Sequence, residues 1–251
     1  MTAETIHYFQ GFDGARLAWR EVGEGRPVVL IHGYFSDAVT NWIRYGHAAV
    51  IAAHGFRVIM PDLRGHGVSA KPHDAASYPP DALAMDGMAL IGELGLVDYD
   101  LGGYSLGART VVRMLATGAA PGRVVLSGMG YEGIVSTGRR VDFFRRVLTQ
   151  PDGFERGSAE WSAQAFLKTT GGDPLALVRV LDTFVDTPAE AVERIAQPTL
   201  VVAGADDDDN GSAAKLASVL PHGNHVVVPG NHMSSVVRAE LGQAIADFLA
   251  A

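Results

Sequence analysis

The chain has 251 residues, of which 47 % are hydrophobic and 19 % charged, with no cysteine and a formal net charge of −8. That length and apolar content suit one α/β domain with a large core. The acidic balance, without Lys/Arg clusters interleaved with aromatics, argues against nucleic acid as a partner, and the missing thiols exclude disulfides, thiolate metal sites and cysteine nucleophiles together.

The opening Met1-Thr2-Ala3-Glu4-Thr5 has no apolar run, and no stretch approaches the roughly 18 apolar residues of a membrane span. Neither leader nor membrane partner is expected, and the cytoplasm is the expected location. Two short alternating runs, 5–9 and 15–20, flank the turn Gly11-Phe12-Asp13-Gly14 and predict an opening β-hairpin. Pro27-Val28-Val29-Leu30-Ile31 is apolar at consecutive positions, as inner strands of parallel sheets are. A helix over 41–53, closed by Gly55, and a strand over 56–60 complete a parallel crossover.

A loop then carries Asp62, Arg64, Gly65, His66 and Gly67, and Pro79-Pro80-Asp81 opens a helix running to about Leu94. The strand 99–103 leads into Gly103-Tyr104-Ser105-Leu106-Gly107, with a helix over 108–117 behind it and a strand over 123–127 after that. Between Gly130 and Pro188 the strands stop. Aromatics at helical spacings (Phe143, Phe144, Phe154, Trp161, Phe166, Phe184) and the pairs Arg139-Arg140 and Arg145-Arg146 predict an inserted helical segment. The alternation resumes with a strand over 198–204, a helix over 212–219, a strand over 224–228 and a last helix from Ser234.

A serine between two glycines, directly after a buried strand, has the pattern of a nucleophile elbow. The strand-to-helix turn is so tight that side chains two before and two after the serine would collide. The N–H of Leu106, at the mouth of the following helix, points to where an oxyanion would form. A serine hydroxyl needs a histidine base, and that base needs a carboxylate to fix its tautomer. Two later strand ends supply them: the turn Gly204 to Asp209, and Pro229-Gly230-Asn231-His232.

With these three motifs in this order, the sequence resembles the α/β-hydrolase superfamily, specifically its small capped serine hydrolases, over nearly its whole length. The resemblance implies a mostly parallel eight-stranded sheet flanked by helices, with a helical cap after the sixth strand. It implies a core of residues 1–130 and 188–251 and a cap at about 131–187. It selects Asp207, three residues beyond Gly204, as the acid and His232 as the base. It also makes Tyr34, after His32-Gly33, the second oxyanion donor beside Leu106. His32 is expected to prop that loop, and the Asp62 to Gly67 loop to organise the entrance.

The expected reaction is hydrolysis of a small carboxylic ester through an acyl-enzyme, with no cofactor and no metal. Asp206-x-Asp208-x-Asn210-Gly211 starts like a calcium loop, but position twelve is Ala217 where a bidentate glutamate is required. The same triad serves lactone, thioester, amide and vinylogous C–C substrates, and peroxide in place of water gives a peracid. A slow-turnover, receptor-like binding protein would keep the same residues. Cap aromatics are expected to form the cap's own core and in part to line the pocket. The arginine pairs read as a solvated helix face, although an anionic substrate group could meet them. A small molecule is the expected partner, and a monomer or homodimer the expected state.

Overall fold

The structure, a computed structural model, describes residues 5–150 and 153–251; residues 1–4, on which the expectation of no leader rests, lie outside the described residues, as do 151–152. Eight strands form one sheet: β1 His7–Gln10, β2 Arg16–Val22, β3 Arg26–Ile31, β4 Phe56–Pro61, β5 Asp100–Tyr104, β6 Val124–Ser127, β7 Thr199–Gly204 and β8 Gly223–Val228. Their spatial order is β1-β2-β4-β3-β5-β6-β7-β8. The hairpin β1–β2 runs antiparallel, β2 lies antiparallel to β4, and every other pairing is parallel. This is the α/β architecture that the alternation of strands and helices predicted and the α/β-hydrolase fold that the resemblance implied.

The continuous apolar run of β3 has the role its composition requires, since Val28 to Ile31 are fully buried. Val29 and Ile31 face a core under α2 (Ala82–Glu93) and α3 (Leu106–Ala116), while Val28 and Leu30 face a second core under α1 (His47–Ala53) and α10 (Ala239–Ala250). The helix expected over 41–53 is broken. A π-helical turn, Val39–Ile43, precedes α1, and Gly46 between them takes the left-handed conformation at φ 83°. The last helix is likewise split into a 3₁₀ turn, Ser235–Val237, and α10, at extended Arg238.

Two registers position the site. β3 pairs with β5 so that Ile31 lies beside Gly103, which brings the loops after both strands out side by side. β7 pairs with β8 so that Gly204 lies beside Val228, and the segments holding Asp207 and His232 leave the sheet together. Both sets emerge at the carboxyl edge, where open α/β sheets place their ligands. Between β6 and β7 come α4 Tyr131–Val135, α5 Gly138–Thr149, α6 Ala159–Thr170, α7 Pro174–Val180 and α8 Ala189–Glu193, followed after β7 by α9 Ala213–Val219.

Candidate active site

Ser105 stands at φ 54° and ψ −110°, a strained conformation for a side chain with a Cβ. Its N–H donates to the Ser127 carbonyl (2.8 Å), which anchors the turn to β6. A Cβ at Gly103 would meet the Gly107 backbone, and one at Gly107 would meet the backbone of Ile31 and His32. Backbone cannot step aside as a flexible side chain can, so both positions require glycine.

The three side chains singled out in sequence are hydrogen-bonded in series. Ser105 Oγ lies 3.0 Å from His232 Nε2, and His232 Nδ1 lies 3.1 and 2.9 Å from the two Asp207 carboxylate oxygens. A carboxylate accepts only, so Nδ1 carries the proton and Nε2 is left to accept from the serine hydroxyl. Ser105 and His232 are each 9 % exposed, enough for a reactant to reach them. The acid loop is tied back by the Asn210 side chain, which donates to the Gly128 carbonyl (3.0 Å).

Tyr34 and Leu106 flank the serine on adjoining loops. Leu106 is the first residue of α3, where backbone N–H groups lack helical partners. Tyr34 is held by its phenol, which donates to the Leu177 carbonyl (2.5 Å), and by stacking on Phe35 (4.4 Å between centroids). Burial raises that phenol's pKa well above its ordinary value, which keeps it a donor. Phe35 itself sits at φ 61°. His32 accepts from the Leu63 N–H at Nε2 (3.0 Å) and donates from Nδ1 to the Gly33 carbonyl (2.8 Å), a neutral, buried prop as expected. In the entrance loop, Asp62 accepts from the Ala38 and Val68 N–H groups, and Arg64 bridges Asp13 and Asp86.

Sequence reasoning missed two supporting residues. Asn41 Oδ1 accepts from the Gly33 N–H (3.0 Å), one residue before Tyr34, and only the fold brings them together. The Tyr104 hydroxyl donates to the His232 carbonyl, which spans 128 positions in sequence. Arg140, read with its neighbours as a solvated helix face that an anionic substrate group could also meet, is 13 % exposed at its side chain and lines the cavity above Ser105, so the solvated reading is corrected for this arginine. The arginine pairs share helix α5, and the signal that could have separated them is helical spacing: Phe143, Phe144 and Val147 lie three, four and seven residues beyond Arg140, on one face.

That cavity measures about 560 Å³ and is bounded by Ser105, His232 and the loop Gly33-Tyr34-Phe35-Ser36 below and by Phe143, Phe144 and Phe166 above. Of the other segment aromatics, Phe184 instead stacks under the guanidinium of Arg109 (4.6 Å). Among the described residues, no group of three or more His, Asp or Glu side chains is placed to hold a metal ion, and no helix is long and apolar enough to cross a membrane.

The sequence matches the profile of the alpha/beta hydrolase family over residues 28–246. It is 31 % identical to a non-heme chloroperoxidase of Kitasatospora aureofaciens, over 87 % of this chain and 89 % of that protein. It is 40 % identical to the N-formylmaleamate deformylase of Pseudomonas putida over 41 % of this chain and 37 % of that protein. Among solved structures, an esterase from Exiguobacterium antarcticum superposes with a TM-score of 0.80 at 18 % identity, covering 98 % of this chain and all of the other (100 %). A family match across this much of the sequence, on a sheet of matching topology, means that the chain belongs to the alpha/beta hydrolase family, and with it to the hydrolases.

Proposed function

We propose that this hydrolase cleaves small carboxylic esters through Ser105, His232 and Asp207. The observation that carries the reading is the unbroken series of hydrogen bonds from Ser105 Oγ through both nitrogens of His232 to the carboxylate of Asp207. Ser105 attacks the ester carbonyl while His232 Nε2 takes its proton, and Asp207 holds the imidazole in the required tautomer and stabilises its charged form. The developing oxyanion meets the N–H groups of Tyr34 and Leu106. His232 returns the proton to the leaving alcohol, then activates a water that releases the acid and regenerates the serine. Residues 1–130 and 188–251 act as the core and 131–187 as a cap that excludes water from this sequence of steps.

The test is hydrolysis of p-nitrophenyl butyrate together with labelling by a fluorophosphonate. Turnover and Ser105 labelling in the native chain, both lost in Ser105→Ala, are the expected result. Turnover that survives in the variant overturns the reading, and rapid labelling with negligible turnover across ester lengths would mark a binding protein instead. The extended similarity to a protein named a chloroperoxidase favours one second reading, in which peroxide attacks the acyl-enzyme and a peracid leaves. Peracid formation from acetate and hydrogen peroxide, dependent on Ser105, would support it.

A further inference from the structure

Four arginines lie on α5, and they do not share one environment. Arg145 and Arg146 have side chains 47 % and 55 % exposed and pair with Asp182 and Glu160. Arg139 donates to the Asp209 carbonyl (2.8 Å). Arg140 alone of the four turns into the cavity that holds Ser105 and His232. Its guanidinium carbon lies 4.6 Å from the Phe144 ring centre and 5.2 Å from that of Phe143. Among the described residues its one carboxylate contact is Asp209 at 3.4 Å, longer than the 2.7–2.9 Å of a strong charge-assisted bond. That aspartate is itself 42 % exposed at its side chain.

A second cation lies near enough to interact with it electrostatically. Arg109, one turn beyond Ser105 on α3, is 4 % exposed, spends its Nε on the Gly133 carbonyl (3.0 Å) and has no carboxylate within 4 Å among the described residues. Burial, reinforced by Arg140, pulls the Arg109 guanidinium down to about 10, still protonated at neutral pH. Asp206 and Asp208 also border the cavity, but on exposed loop positions where solvent and salt screen them. The inner wall therefore offers a planar, five-donor fork beside phenyl rings that keep water away, and a half-committed counter-ion.

We propose that Arg140 receives a free carboxylate on the substrate, so that the preferred substrates are esters bearing a second, ionised carboxyl group. This rests on the serine-hydrolase reading above. The guanidinium edge not turned to Asp209 can take both oxygens of a carboxylate, a match of shape that ammonium or amide groups do not supply. The Arg109 charge adds to the favourable potential. The hydrocarbon part of the substrate lies against Phe143, Phe144 and Phe166.

The experiment compares matched esters that differ in the carboxylate: mono-p-nitrophenyl adipate against p-nitrophenyl hexanoate for the acyl side, and 4-carboxyphenyl hexanoate against phenyl hexanoate for the alcohol side. Each kcat/KM is divided by the spontaneous hydrolysis rate of the same ester. In at least one pair the native chain is expected to favour the charged ester by about tenfold or more. Arg140→Gln is expected to erase that preference and Arg140→Lys to keep part of it. Asp209→Asn, which frees the guanidinium without altering it, is expected to raise the preference about threefold, and it keeps the test open should Arg140→Gln fold poorly. A charged-to-uncharged ratio near one in both pairs, unmoved by any of the three substitutions, overturns the proposal while Ser105-dependent turnover of the plain esters still stands. Loss of that turnover in the native chain would instead overturn the reading on which it rests.

Discussion

The hydroxyl of Tyr104 donates to the carbonyl oxygen of His232, and Ser235 Oγ lies 2.9 Å from the same hydroxyl. The residue just before the serine thus fixes the backbone of the histidine that must reach it. Tyr104→Phe keeps the buried ring and removes both contacts, leaving polar groups on the histidine segment without their partner. It is expected to lower stability by about 1–3 kcal/mol in urea unfolding. Because it acts through the placement of His232, kcat for p-nitrophenyl butyrate is expected to fall roughly tenfold with little change in KM.

Ser105 holds a conformation that glycine adopts freely. Backbone strain of this kind costs about 1–3 kcal/mol, against which glycine's extra unfolded-state freedom counts about 0.5–1 kcal/mol. Both Ser105→Ala and Ser105→Gly are expected to be inactive, with the glycine variant the more stable of the two by roughly 1 kcal/mol. Paired thermal melts measure the difference, and a glycine variant less stable than the alanine one by about 0.5–1 kcal/mol, the unfolded-state cost alone, would show that the turn stores no strain.

Asp207 accepts the Nδ1 proton of His232. Asp207→Asn retains the shape but presents either a donor or a weaker acceptor to the imidazole, so the ring is no longer held in the tautomer that accepts from Ser105. The expected fall in kcat is roughly 10³–10⁴-fold, with unfolding free energy nearly unchanged. Single-turnover ester cleavage measures it, and a loss below tenfold would mean that another group orients the histidine.

His32, His47 and His66 are each held below the ordinary histidine pKa, with burial the largest cause. A base whose folded pKa is depressed is neutral in the native chain, while the unfolded chain binds a proton near pH 6.5. Below that pH the unfolded state therefore carries more protons, and stability is lost as pH falls through about 6.5 towards the folded values. Each such histidine adds a slope of up to about 1.4 kcal/mol per pH unit in that window. Urea unfolding at pH 7.5, 6.0 and 5.0 is expected to show this decline. His66→Gln, which removes one titrating group, is expected to make it shallower relative to the variant's own stability at pH 7.5.

Asn41 Oδ1 is the acceptor for the Gly33 N–H. Asn41→Ala leaves that buried donor unpaired, with an expected cost of about 1–3 kcal/mol and a lower kcat because the Tyr34 N–H is no longer held in place. Asn41→Leu keeps the volume but offers no acceptor, so it is expected to lose stability as well. A loss in the melt of both variants separates this bond from simple loss of volume.

Sequence by itself determined the sheet and the serine elbow, because both are written in local chemistry. Val28 to Ile31 must be buried on both faces, and Gly103 and Gly107 leave no room for side chains around Ser105, while the choice of Asp207 among four neighbouring aspartates, and of His232, came from the family resemblance. Local signals were weakest where helices break: no strong breaker marks the extended Arg238, and Gly46 carries its turn only through its φ. The tertiary structure alone decided what lies between distant segments. Strand register brings Asn41 under Gly33 and the Tyr104 hydroxyl to the His232 carbonyl. Packing of α5 turns Arg140 inward and leaves Arg145 and Arg146 in solvent. The spacing within α5 already put Arg140 on its apolar side, with Phe143, Phe144 and Val147 three, four and seven residues further on; what that side packs against, and so the cavity that Arg140 enters, was set by the fold.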